Sequence, residues 1–174
     1  MLRFINTRQA LNSAGRLLEQ KLKAQLKIDG TVATKKLYNS IGYSLSWGER
    51  SNDLYLWADK SMKYVDQGRK SGKEPPVSAI LRWAEAKGIR PRDSKGKFTE
   101  DSRSNRFWMA KNIARSIGQK GTIKRFGGHG KGSDILNFVL NNNIESIKES
   151  VSAAFDADLN AHLANNIVDN NNGN

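Results

Sequence analysis

The sequence predicts an α+β fold: a small antiparallel β-sheet packed against an N-terminal helix, two short central helices and a long C-terminal helix. Three observations carry this. Leu11, Ala14, Leu18, Leu22 and Leu26 recur at helical spacing between Arg8 and Lys27. Ile41, Tyr43, Leu45 and Trp47 alternate with small or polar residues, and LYLWA (Leu54–Ala58) supplies a partner strand across the turn-rich GERSND. Ile144, Ile147, Val151, Phe155, Leu159 and Leu163 form a second, longer helical stripe. A two-stranded ribbon with one apolar face needs cover, and an amphipathic helix can supply it.

The remaining elements follow in order. Asp29-Gly30 stops the first helix, and ATKKLYNSIG leads into the hairpin. Pro75 and Pro76 suit the first turn of a helix whose stripe is Val77, Ile80, Leu81 and Ala84, with Trp83 at its margin and Gly88 at its end. The polar run Arg90–Asn105 reads as a flexible surface loop. Phe107, Ala110, Ile113, Ala114 and Ile117 mark another helix, closed by Gly118 and Gly121. After the glycine-rich GGHGKGSD, Ser133 can cap the last helix, with Asn141–Asn143 as a kink or break. The expectation is a single domain over residues 1–168 and a disordered, asparagine-rich tail over 169–174.

Composition narrows the chemistry. The 174 residues suit one domain with a moderate core. The absence of cysteine excludes a disulfide scaffold, a thiol nucleophile and a cysteine zinc site. No apolar run reaches the about 18–20 residues of a membrane helix, and MLRFINTRQALNS lacks the apolar core of a signal peptide. A soluble protein made in the cytoplasm, with no membrane partner, is the expectation. The net charge of +12 is uneven: residues 1–132 hold 28 Lys/Arg against 11 Asp/Glu, and residues 133–174 hold one against six. A basic body with an acidic end can face nucleic acid, or its two parts can meet across copies.

No catalytic constellation stands out. GGHGKGS fails the phosphate-loop pattern at both ends, with Arg125 where the first glycine belongs and Gly132 where Ser or Thr belongs. His129 and His162 lack partners at ligand spacing. Asp66, Glu74 and Glu85 follow no acid/base spacing, Asp66 being better read as a turn cap or as a partner for Arg69. Ser40, Ser44 and Ser46 lack a nucleophile elbow. The expectation is no enzyme, no metal and no cofactor. The cation clusters are the stronger signal: Arg69, Lys70 and Lys73; Arg90, Arg92, Lys95 and Lys97; and Lys120, Lys124, Arg125 and Lys131. They can neutralise phosphates without reading sequence. No helix-turn-helix, RNA-recognition or zinc-finger signature accompanies them.

One stretch carries a resemblance. YVDQGRKSGKEPPVSAILRWAEAKGI (Tyr64–Ile89) resembles a segment of bacteriophage tail-component proteins of the lambdoid type. There a Tyr-Val-acid-x-Gly run leads through Pro-Pro into a helix with Ile, Trp and a closing Lys-Gly-Ile. FWMAKNIARSIGQKGT (Phe107–Thr122) is similar to the family's next helix, and ATKKLYNSIGYSLS to its entry into the first strand. The family is one of head–tail joining or tail-completion proteins, which form a ring at the neck between the portal, or its adaptor, and the tail. The resemblance implies a homo-oligomeric structural protein of the virion, with contacts to portal or head-completion adaptor and tail proteins and to packaged DNA. The loop Arg90–Asn105 is longer than the family pattern, and the Asn-rich end departs from it. On this reading Gly68, Pro75 and Pro76 form a structural joint. Arg69, Lys70, Lys73, Arg90, Arg92, Lys95, Lys97, Lys124 and Arg125, with Trp47 and Trp57 as anchors, are the candidate contacts to a neighbour or to DNA. The alternative is a basic, non-sequence-specific nucleic-acid-binding protein.

Overall fold

A computed structural model describes residues 4–32, 35–48, 51–122 and 133–171, with side chains of the last helix through residue 164. The fold is α+β. The described residues form helices α1 (Ile5–Ile28), α2 (Lys36–Ser40), α3 (Met62–Asp66), α4 (Val77–Ala86), α5 (Arg103–Lys120) and α6 (Ile135–Asn171). Strands β1 (Gly42–Trp47) and β2 (Asn52–Trp57) pair antiparallel. The chain divides into two compact units. The first comprises residues 1–25, 41–57 and 136–174, and the second residues 26–40 and 58–135.

In the first unit Ala14, Leu18 and Leu22 bury the predicted stripe of α1. The hairpin register places Leu45 opposite Leu54 and Tyr43 opposite Leu56, so one face is apolar and half-buried. The other face carries Ser44, Ser46, Tyr55 and Trp57, all exposed. β2 begins at Asn52, two residues before the predicted Leu54, because the ladder continues through Ser46–Asp53 and Trp47–Asn52. Tyr43 lies over Gly15 of α1, where a built β-carbon would come within 2.3 Å of its ring. The Tyr43 hydroxyl donates to Asn12 Oδ1 at 2.8 Å. A glycine inside a helix is thus explained by an aromatic ring occupying the space of its side chain. Gly15→Ala should destabilise this unit by about 1–2 kcal/mol in a urea titration, overpacking exceeding the helix-propensity gain. An unchanged or raised midpoint would show that Tyr43 moves aside freely.

The first turn of α1 contains no acidic residue, and Phe4 precedes the helix, so the expected local cap is missing. Asp158 of α6 supplies it from 151 residues away. The backbone N–H groups of Asn6 and Thr7 donate to its two carboxylate oxygens at 3.0 and 2.8 Å. The Asn6 amide and Thr7 hydroxyl donate to the same oxygens at 2.9 and 2.7 Å. One turn earlier on α6, Phe155 stacks on Phe4 at 5.6 Å between centroids. Asp158 is 5% exposed. Burial alone would push its carboxyl up, but the bonds from Thr7 and Asn6 outweigh this and hold it below the ordinary carboxylate value.

In the second unit α4 and α5 pack around Ile80, Ala110 and Ala114, with Val77, Leu81, Trp83, Ile113 and Ile117 partly buried alongside. The two alanines allow the helices to approach closely, and Ala110 and Ala114 are fully covered. Schellman endings close α1 and α4. Thr31 N–H donates to Leu26 O with Gly30 at φ 61°, and Ile89 N–H donates to Ala84 O with Gly88 at φ 63°. α2 is held by the Lys36–Asp59 ion pair at 2.8 Å and by Asp59 N–H donating to Ser40 Oγ. Lys36 is the main reason that the Asp59 carboxyl lies far below its ordinary value.

Several boundaries differ from the sequence reading. α5 runs through Gly118 and ends only before Gly121. Gly118 is glycine because a side chain there would run into Glu74 Cγ at 2.7 Å and Gly72 O at 3.1 Å. Ser133 does not cap α6: its hydroxyl donates to Val65 O at 2.7 Å, and Asp134 at φ 54° donates its N–H to Asp66 O. Asn141–Asn143 do not break α6, since Asn143 turns its amide back onto Val139 O at 2.7 Å. The helix also continues past residue 168 to Asn171.

Candidate functional site

The predicted joint is anchored on the C-terminal end of α5. Gly68, at φ 72°, turns the chain out of α3. Arg69 N–H donates to Thr122 Oγ1 at 2.8 Å, and Thr122 N–H donates back to Arg69 O at 2.7 Å. Gly72 N–H donates to Gly118 O at 2.6 Å. Gly72 thus pairs one of the carbonyls that a helix's C-terminal end leaves open, and Arg69 pairs the chain just beyond that end. Pro76 then occupies the cap position of α4 at φ −58°. The stiffness of this joint has two sources, the prolines and a backbone clasp that the sequence did not announce. Gly118 and Gly121 let the two stretches meet, since a β-carbon on either would run into Gly72 O or Arg69 O.

The cations of the joint have separate surroundings. The Arg69 guanidinium donates to Lys73 O at 2.6 Å and lies over the Tyr64 ring at 5.4 Å, so it stiffens the turn. Lys70 and Lys73 are exposed. Beside the joint is an apolar cavity of about 490 Å³ whose walls include Tyr64, Pro75, Ile80, Trp83, Ile113 and Ile117.

A second surface gathers the cations of the polar run. Residues 90–99 form a small turn in which Arg92 bridges Phe98, Asp93 Oδ1 accepts from Lys95 N–H and Lys97 N–H at 2.9 Å, and Gly96 sits at φ 82°. Asp and Gly at that spacing are a turn signal that was readable in DSKGK. Arg90 and Arg92 lie over the Phe98 ring at 5.3 and 4.1 Å. On α5, Lys111 lies over Trp108 at 4.8 Å, and Phe107 meets Trp108 edge-on at 6.0 Å. A cavity of about 460 Å³ has Arg90, Pro91, Arg92, Trp108, Met109 and Ile113 among its walls. Phe98 and Trp108 remain 56% and 52% exposed and lie outside the core. Lys95 and Lys97 are exposed at the tip of the turn.

Sequence reasoning placed Arg90, Arg92, Lys95 and Lys97 here but missed Phe98, Trp108 and Lys111. Trp108 sits on the opposite side of its helix from Ala110 and Ala114, so helical periodicity could have marked it as outward-facing. Trp47 and Trp57 lie on opposite faces of the hairpin and form no common anchor. Trp47 is half-buried beneath Arg8 at 5.5 Å, and its indole N–H is buried without a hydrogen-bond partner among the described residues. Trp57 is 50% exposed and lies across Gly42, where a built β-carbon would meet its ring at 2.9 Å. Lys124, Arg125, His129 and the GGHGKG run lie outside the described residues.

Of the carboxylate-bearing residues singled out by sequence, Asp66 and Glu85 have described local partners. Asp66 is buried at the end of α3, where its backbone O accepts from Asp134 N–H. Glu85 faces Arg106 at 3.6 Å, and Arg106 also forks onto Asp101 at 2.7 and 2.6 Å. Hydrogen bonding to Arg106 holds the Asp101 carboxyl below its ordinary value. Among the described residues no group of three or more His, Cys, Asp or Glu could hold a metal ion, and no helix is long and apolar enough to cross a membrane. No protein-family model, curated protein or solved structure matches this chain.

Proposed function

We propose that this chain is a structural component of a virus particle, a subunit that assembles with copies of itself and performs no catalysis. Its particular place is the bacteriophage neck, as a head–tail joining or tail-completion protein in a ring between the portal, or its adaptor, and the tail, around the DNA channel. The observation that carries this reading is the joint. The stretch that resembles the phage family, Tyr64–Ile89, folds as a turn clasped to the end of α5 by paired backbone hydrogen bonds and entering α4 through Pro76. A stiff, cation-bearing joint suits a subunit that must hold its neighbours in fixed geometry. The uneven charge supports it too, because a ring is built from contacts in which one surface meets a different one.

A second reading, a basic nucleic-acid binder without sequence preference, is favoured by one observation: Arg90, Arg92 and Lys111 are interleaved with exposed aromatics. Light scattering of the purified chain at low and high salt, with and without duplex DNA, separates the two. The expected result is a discrete multimer without DNA. A monomer whose DNA affinity falls steeply with salt would replace the neck reading with the second one. A monomer indifferent to DNA would contradict self-assembly and restrict the ring to growth on a portal template.

A further inference from the structure

We infer that the cation–aromatic surface formed by Arg90, Arg92, Phe98, Trp108 and Lys111 is the receptor for the exposed acidic face of helix α6 of a second copy. The inference rests on the ring reading and names its interface. The surface combines features that a docking helix needs. Its rings are half exposed, its cations are held in place by stacking on those rings, and an open hollow of about 460 Å³ lies between Arg92 and Trp108.

The occupant is argued from charge and spacing. At 100° per residue, Phe138, Glu145, Glu149, Asp156 and Leu163 fall on one side of α6. All five are exposed. Phe138 and Leu163 are 54% and 58% exposed, so apolar groups flank the three carboxylates. Among the described residues only Lys148 is seen opposing this charge, pairing with Glu145 at 3.2 Å, so Glu149 and Asp156 are the carboxylates assigned to a partner's cations. A nucleic-acid strand would supply charge too. It would not use Phe138 and Leu163. The arrangement is of unlike surfaces, which generates a ring or a filament rather than a closed pair.

Charge exchange tests this on the full-length chain. One variant carries Arg92→Glu and Lys111→Glu, and another carries Glu149→Lys and Asp156→Lys. Each alone should stay monomeric where the wild type is multimeric, with the assembly constant weakened at least about 100-fold. An equimolar mixture should regain the wild-type mass, since each variant's altered face complements the other's. Restored assembly cannot come from a folding defect. Trp108→Ala, which changes no charge, should weaken assembly while leaving helix content intact. Variants that multimerise like the wild type would overturn this interface and leave the ring standing. A mixture that remains monomeric, with Trp108→Ala assembling normally, would overturn it as well. Unchanged assembly with lost binding of a single-stranded oligonucleotide would reassign the surface to nucleic acid. A wild type that is monomeric at every concentration would overturn this interface as a contact that holds copies together in solution.

Discussion

Replacing Gly121 with alanine should destabilise the second unit by about 3 kcal/mol or more, through two additive effects. Gly121 sits at φ 68° and ψ −167°, a conformation that essentially only glycine adopts, at a cost of roughly 1–3 kcal/mol for any other residue. A β-carbon would also come within 2.4 Å of Arg69 O, 2.9 Å of Ser71 N and 3.0 Å of Lys70 C. Those are backbone atoms, which cannot rotate away as the end of a side chain can. Relieving the clash would mean opening the clasp, with loss of the Thr122–Arg69 hydrogen bonds. Urea unfolding followed through tryptophan fluorescence, with amide exchange at Arg69, Gly72 and Thr122, reads both effects. A midpoint shift equivalent to less than about 0.5 kcal/mol would mean that the joint gives way readily, and the stiffness ascribed to it would be wrong.

Asp158→Asn should loosen the start of α1 and remove a pH dependence that the wild type has. An amide in this position turns a donor toward the Thr7 and Asn6 donors, so part of the hydrogen-bond set becomes unmakeable. Amide protection at Asn6 and Thr7 should fall by at least about tenfold at neutral pH. The folded carboxyl lies below its unfolded value, so its stabilisation is complete above the ordinary carboxylate range. It declines as pH falls through that range and is lost below the folded value. Wild type and variant should therefore differ at pH 7 and converge in strong acid. A difference that persists unchanged at low pH would show that packing, not the carboxylate, is what Asp158 contributes.

Local and distant interactions explain how much could be read from the sequence. The stripe Ala14–Leu26, the alternation Tyr43–Trp47 and the glycine stops at Gly30 and Gly88 were legible because each is settled by residues within one or two turns. The roles of Gly15 and Gly118 inside their helices were not legible because the groups that need their space, Tyr43 for one and Gly72 and Glu74 for the other, are remote in sequence. The cap of α1 was invisible for the same reason. Of the candidate surface, the cations were readable as a cluster, but their pairing with Phe98 and Trp108 depends on a tight turn meeting a helix face. Asn141–Asn143 misled in the other direction. Asparagine's preference for turns is offset here when its amide bonds back onto the helix.

The division of the chain into units has a consequence for the order of synthesis. The second unit draws on two stretches that both lie before residue 136, so all of its parts have been made before most of α6. The first unit draws on both ends of the chain, and α1 lacks the carboxylate that caps it until Asp158 has been translated. On the ribosome the second unit can therefore form early, while α1 and the hairpin wait with their apolar faces uncovered. α1 is made well before Asp158, the carboxylate 151 residues on that caps it, so it is locked late, whereas the joint draws on nothing beyond Thr122.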